Sequence, residues 1–93
     1  MVYAYAHITV INPESLAEYA TRAADALAKH GGKVESGSKA FTALDGAPIV
    51  PDVAAILSFP TTEAAIAWAN DPELEDLHNL RRNAGTSDII LLA

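Results

Sequence analysis

From Val2 to Ile11 the chain alternates between two kinds of residue. Val2, Ala4, Ala6, Ile8 and Val10 are small and apolar, while Tyr3, Tyr5, His7, Thr9 and Ile11 are mostly larger and capable of hydrogen bonding. Period two across β-branched and aromatic residues predicts a strand with two different faces. The small face suits the packing of helices, and the aromatic face suits the lining of a pocket.

Helix signals follow at once. Asn12-Pro13-Glu14 supplies a cap side chain, a proline at the first helical position and an acid at the positive end of the dipole. Leu16, Ala20, Ala23 and Leu27 recur at helical spacing, with Tyr19 and Ala24 widening the stripe. Gly31-Gly32 ends the pattern, the first glycine being suited to a left-handed cap. Lys33 to Leu44 reads as a second strand, and Gly37 inside it marks a bulge or the close approach of a ligand. Asp45-Gly46 is a turn, and the apolar stretch Ala47 to Pro51 should find cover for Ile49 and Val50. Val53 to Phe59 is a third strand, stopped by Pro60.

Thr61 or Thr62 caps a second helix carrying Ala65, Ile66, Trp68 and Ala69. Asn70-Asp71-Pro72 interrupts it and starts another segment with Leu74, Leu77, His78 and Arg81 on one side. Gly85 closes that segment, and Ser87 to Leu92 is the last strand. The order is βαββαβ with the second helix broken. It predicts an α+β, ferredoxin-like fold with a four-stranded antiparallel sheet and both helices on one face. Strands three and four are apolar on both faces, through Ala55, Leu57, Phe59 against Ala54, Ile56, and Ile89, Leu91 against Ile90, Leu92. The helices can cover only one face, so a second copy of the sheet is expected on the other, in a homodimer.

Composition narrows the function. The 93 residues form a single domain, 1–93, with 51% hydrophobic and 19% charged residues, and surplus apolar surface on so small a domain again points to an oligomer. There is no run of about 20 apolar residues to span a membrane. No basic region precedes an apolar stretch at the N-terminus, so a cytoplasmic protein is expected. The absence of cysteine excludes disulfides, thiolate nucleophiles and sulfur-ligated metals. A net charge of −6 and dispersed basic residues argue against nucleic acid as a partner.

The residues also carry a family resemblance, nearly end to end. Asn12-Pro13-Glu14 with Glu18-Tyr19, Gly31-Gly32, Asp45-Gly46, Phe59-Pro60-Thr61, Ala65 to Trp68, Asp71-Pro72-Glu73 and Leu80-Arg81-Arg82, in this order and spacing, resemble the domain of unknown function 1330 family. That family is a branch of the dimeric α+β barrel superfamily. The resemblance implies a dimer whose two sheets face each other, with a ligand cavity between each sheet and its helices or inside the barrel. Characterised branches include cofactor-free oxygenases of phenols and quinones, lactone isomerases and haem-degrading enzymes, so the fold alone does not set the reaction. The chain departs from its relatives at Glu35-Ser36-Gly37-Ser38, where they carry an arginine. It departs again at Ser58, where they often carry an acid, and in its apolar loop.

Three residues are candidates for chemistry. His7, on the face of Tyr5 and Thr9, is placed to act as a general base, with Tyr5 or Arg81 steadying an anion. The competing use of His7, and the commoner one for a lone histidine, is a hydrogen bond at the dimer seam. Tyr3, Thr9, Gly37, Phe41, Ile56 and His78 are the candidate ligand contacts. Tyrosines serve interfaces as readily as pockets. Arg81 shares an inward face with leucines and therefore needs an anion, either a ligand carboxylate or an internal partner such as Glu18 or Asp25. Trp68 is expected in the core. His7, His30 and His78 have no ligand spacing, so no metal and no cofactor are expected. The expectation is a homodimeric small-molecule-binding barrel. If it is an enzyme, it is a cofactor-independent isomerase or monooxygenase acting on a small, largely apolar oxygenated compound. The alternative is a non-catalytic ligand-binding or structural dimer.

Overall fold

β1 (Val2–Val10) is central to the sheet in the computed structural model, which describes residues 1–93. It is followed by α1 (Pro13–Ala28), β2 (Lys33–Ser38), β3 (Val53–Phe59) and α2 (Thr62–Asn70). A 3-10 turn (Pro72–Leu74), α3 (Glu75–Asn83) and β4 (Gly85–Leu92) complete the chain. The strands lie in the order β2-β3-β1-β4, and every pair is antiparallel. This is the α+β, ferredoxin-like arrangement, and its second helix is broken.

The capping residues set the helix starts. The Asn12 side chain accepts from the Ser15 amide at 3.3 Å, and Thr61 Oγ1 accepts from the Ala64 amide at 3.1 Å. Asp71 Oδ1 accepts from the Glu73 amide at 2.9 Å, which opens the 3-10 turn where Pro72 cannot continue α2. Asp71 Oδ2 also receives Lys29 Nζ at 2.7 Å and His30 Nε2 at 2.8 Å. These contacts tie the end of α1 to the break. Gly31 has φ of 73°, the left-handed conformation that ends α1. At Gly85 a side chain would collide with the Thr9 carbonyl oxygen, so β4 starts at a glycine to lie close beside β1.

The core sits between the sheet and the helices. Ala4, Leu27, Leu57, Phe59, Ala65 and Trp68 form one buried cluster, with the Phe59 and Trp68 rings 5.6 Å apart. The small face of β1 is therefore the helix-packing face, as its alternation predicts. The opposite face carries Tyr3, Tyr5, His7, Ile56, Ile90 and Leu92 and has no helix over it.

Three expectations are corrected. β2 ends at Ser38 rather than Leu44, because β3 begins at Val53 and the ladder runs out at the Ser38–Ala54 pair. The register shift lies between Val34 and Ser36, at Glu35 rather than Gly37. In the connection that follows β2, Ile49 finds no cover and Val50 only partial cover: Ile49 is 96% exposed and Val50 54%. The end of this loop is pinned by Asp52, whose carboxylate accepts from the Val10 amide at 2.7 Å. No helix is long and apolar enough to cross a membrane.

Candidate functional site

Small residues at the centre of the sheet leave room beneath the helices. Ala6, Ala55 and Ala23 stand where larger side chains would fill the layer, and an open cleft remains there in two lobes. The smaller lobe, about 130 Å³, lies under α1 and is lined mainly by apolar side chains such as Ile8, Leu16, Leu27 and Val53. The larger, about 350 Å³, lies between α2–α3 and the β1–β4 part of the sheet and includes Trp68, Arg82 and Leu91. Arg81, Ser87 and Ile89 border both lobes.

Arg81 reaches this junction from α3, where Leu77 and His78 occupy the preceding inward turn. Arg81 Nη1 donates to His78 Nδ1 at 2.8 Å and lies 3.5 Å from the Tyr19 hydroxyl. The guanidinium carbon stands 5.6 Å from the ring centroids of both Tyr19 and Trp68, which hold it as a cation between two aromatic faces. Arg81 Nε is buried without a hydrogen-bond partner, as is Trp68 Nε1. Neither Glu18 nor Asp25 pairs with Arg81, and none of the ion pairs in the chain includes it. The internal counter-ion that sequence reasoning allowed for is absent.

His78 is buried and fully engaged. Its Nδ1 accepts from Arg81, which leaves the proton on Nε2, donated to the Trp68 carbonyl at 2.9 Å. Its ring meets Trp68 edge-on at 4.7 Å. Burial holds its pKa below the usual 6.5, and the nearby Arg81 and Arg82 charges push the same way against the hydrogen bond to Trp68. A neutral imidazole here orients Arg81. It has no nitrogen left for a ligand.

The other expected site residues lie across the sheet. Tyr5 and His7 stack at 5.2 Å, and His7 Nε2 approaches the exposed Asp88 carboxylate at 3.9 Å. His7 borders the smaller lobe from β1, yet its ring belongs to the opposite face with Tyr5. Tyr5, Gly37 and Ile56 come together at a shallow hollow of about 120 Å³ on that face. Tyr3 and Thr9 are exposed on the same side, and Phe41 lies in the loop after β2, lining neither the cleft nor the hollow. The structure therefore separates His7 and Tyr5 from Arg81 within one chain.

Sequence reasoning missed two contributors. Tyr19 was legible only as part of an apolar stripe, yet its ring and hydroxyl meet Arg81, 62 residues away. Glu35, at the register shift, accepts from the buried Ser58 hydroxyl at 2.7 Å, and Lys33 stands 3.4 Å from the same oxygen. These contacts, the Ser58 hydrogen bond first, hold its pKa below the ordinary range. Position 58 thus holds a hydroxyl that binds a carboxylate from the neighbouring strand.

An antiparallel sheet with helices on one face and a cleft between the two layers defines an α+β, ferredoxin-like domain. The chain belongs to the family described as Domain of unknown function (DUF1330), whose model matches residues 1–93. Among solved structures it resembles the RPA0582 protein of unknown function from Rhodopseudomonas palustris. The likeness has a TM-score of 0.75 and 20% identity, and covers 98% of this chain and 79% of that one. The methylated form of the same protein gives a TM-score of 0.76 at 21% identity, covering 98% and 78%. It also resembles SnoaB, a cofactor-independent oxygenase from Streptomyces nogalater. There the TM-score is 0.69 at 15% identity, with 99% and 90% of the two chains covered. No curated protein matches the chain by sequence.

Proposed function

We propose that this protein is a homodimeric small-molecule-binding barrel, with one ligand held in the cleft between each subunit's sheet and helices. The observation that carries the binding site is Arg81. A half-buried guanidinium between two aromatic rings, with one nitrogen unpartnered and no ion-pair partner, is costly to the protein alone and is satisfied by a bound oxygen-bearing group. Dimerisation is supported by the other face of the sheet, where Ile90 is 57% and Leu92 61% exposed beside Tyr3 and Tyr5. A second sheet laid on this face covers all four.

Binding is favoured over catalysis by the engagement of both ring nitrogens of His78, and by the position of His7 on the far face. A catalytic reading of the same cleft draws its support from the likeness to the cofactor-independent oxygenase, which extends over 99% of this chain. In that reading His7 and Tyr5 would have to act in the space between the two sheets and Arg81 in the cleft, as two separate sites.

Native mass spectrometry of freshly purified protein tests the proposal. The expected species is a dimer that releases a small molecule from each subunit on activation. A monomer overturns the dimer, and a dimer that neither carries nor takes up any small molecule overturns the binding site.

A further inference from the structure

We propose, resting on the cleft reading above, that the group received by Arg81 is the carboxylate of a small monoanionic acid whose single apolar ring, or body of similar size, lies in the lobe under α1. The argument begins with charge. The other half-buried basic side chains outside His78 each face an acid, His30 at Asp71 and His7 at Asp88. Arg81 alone among them has none. A net charge of −6 makes this a local arrangement and not a shortage of acids.

The geometry of the guanidinium narrows the class. Nη1 is committed to His78 and Nε is buried without a partner, so Nη2 carries the donors left for a ligand. A planar guanidinium presents its N–H donors in a fixed fork that matches the oxygens of a carboxylate, which makes arginine the residue for this recognition. The hydroxyls of Tyr19 and Ser87 border the same lobe and can donate to the acid's remaining lone pairs. His78 is a positioning residue in this arrangement: it holds Nη1 and so fixes the guanidinium at the junction of the two lobes.

Lining and size set the body. In the smaller lobe Arg81 is the one formally charged side chain, so a dianion such as a phosphate monoester would keep one charge unmatched in apolar surroundings. The rest is predominantly hydrophobic. An apolar cavity of about 150 Å³ accepts benzene, so a lobe of about 130 Å³ takes a single ring or a short branched chain and not a polycyclic compound. The larger lobe, with Arg82, Ser87 and Asp88, is the wetter side from which the acid enters.

The test uses the protein's single tryptophan as a reporter, because its unpartnered indole N–H stands beside the site. Benzoate and its neutral counterpart benzamide are titrated into nitrogen-15-labelled protein, and the indole and neighbouring amide peaks are followed by NMR. Benzoate is expected to shift these peaks in a saturable manner and to bind at least tenfold tighter than benzamide. Arg81→Met is expected to weaken benzoate at least tenfold and benzamide by a smaller factor, with Arg81→Lys between wild type and Arg81→Met for benzoate. Equal binding of benzoate and benzamide by the wild type overturns the acid class and leaves the cleft standing. So does benzoate affinity that survives in a folded Arg81→Met. If neither compound moves the Trp68 peak, both the acid class and the cleft fall. The wild-type pair decides the question even if a variant fails to fold.

Discussion

The two faces of the sheet are built from the same strands and are used in opposite ways. On the helix face β1 presents Ala4, Ala6 and Ile8, small enough for helices to close over them and for a cleft to remain. On the bare face it presents Tyr3, Tyr5 and His7, broad side chains that continue through Ile56 and Ile90 into an open apolar surface. Charge is distributed with equal asymmetry. The bare face keeps its imidazole near an exposed carboxylate, whereas the guanidinium under the helices has no ion-pair partner. The face with the more reactive residue types is thus electrostatically satisfied, and the face with the ordinary packing residues is not. An unmet charge in a partly buried place is the better guide to a ligand than a collection of reactive side chains.

Truncation should separate the faces most sharply. Phe59→Ala empties a position 1% exposed against Trp68 and Leu27, and is expected to cost about 3–5 kcal/mol in urea denaturation. A loss below about 1 kcal/mol would mean that this layer is not the core. Ile90→Asp, on the bare face, is expected to leave the far-ultraviolet circular dichroism unchanged and to halve the mass found by light scattering. In the proposed dimer an aspartate at the centre of the sheet-on-sheet seam would bury an unpaired charge in both copies. A persisting dimer would move the seam elsewhere on the molecule.

Most of the fold is legible in the sequence because its signals are local. The alternation of β1, the proline–acid starts at Pro13 and Pro72, and the stop at Gly31 each act within a few residues, and the structure has all of them. The end of β2 is not local. Residues 39–44 look as strand-like as those before them, but a strand exists only where a partner lies beside it, and β3 starts at Val53. The register shift at Glu35 depends likewise on Ser58, which no local pattern connects to it. The site follows the same rule. That Arg81 turns inward is readable from its spacing with Leu74 and Leu77. That Tyr19, and not Glu18, meets it depends on how α1 crosses α3. Alternation marks two faces in β1 and says nothing about which of them borders a cavity.

Removing the unmet charge tests it further. In the ligand-free protein Arg81→Met takes an unneutralised cation from the cleft, a relief opposed by the loss of the His78 donor, worth about 1–3 kcal/mol. The melting temperature is expected to stay level or rise while acid binding is lost. A large fall would make Arg81 a structural residue. Stability against pH should sense the same cluster. Burial lowers the His78 pKa below 6.5, so the folded state resists a proton that the unfolded chain accepts. Stability from this source is level above about pH 6.5 and declines as pH falls below it, by at most about 1.4 kcal/mol per pH unit for one proton. The wild type measured against His78→Gln isolates this slope, and parallel curves would show that His78 protonates freely. Asp71 acts in a lower window. Lys29 first, then His30, hold its pKa well below the usual 3.8, so the stability this tie contributes is full above that value and is lost progressively as the pH falls below it.

The smallest effect belongs to His7, and it bears directly on the difference between the faces. His7 stands 3.9 Å from an Asp88 carboxylate that is 62% exposed, a separation and exposure at which an ion pair contributes about 0–1 kcal/mol. His7→Ala also removes the stacking on Tyr5, so a loss of about 1 kcal/mol in urea denaturation is expected, with the acid-binding titration unchanged. The informative result is the unchanged titration. The His7 ring stacks on Tyr5, on the sheet face away from the helices. A change of tenfold or more in benzoate affinity would mean that the two faces are coupled through that strand, and would return His7 to the site. An unchanged affinity together with weaker dimer association would fix its use at the seam between subunits, the commoner use for a histidine without an orienting partner.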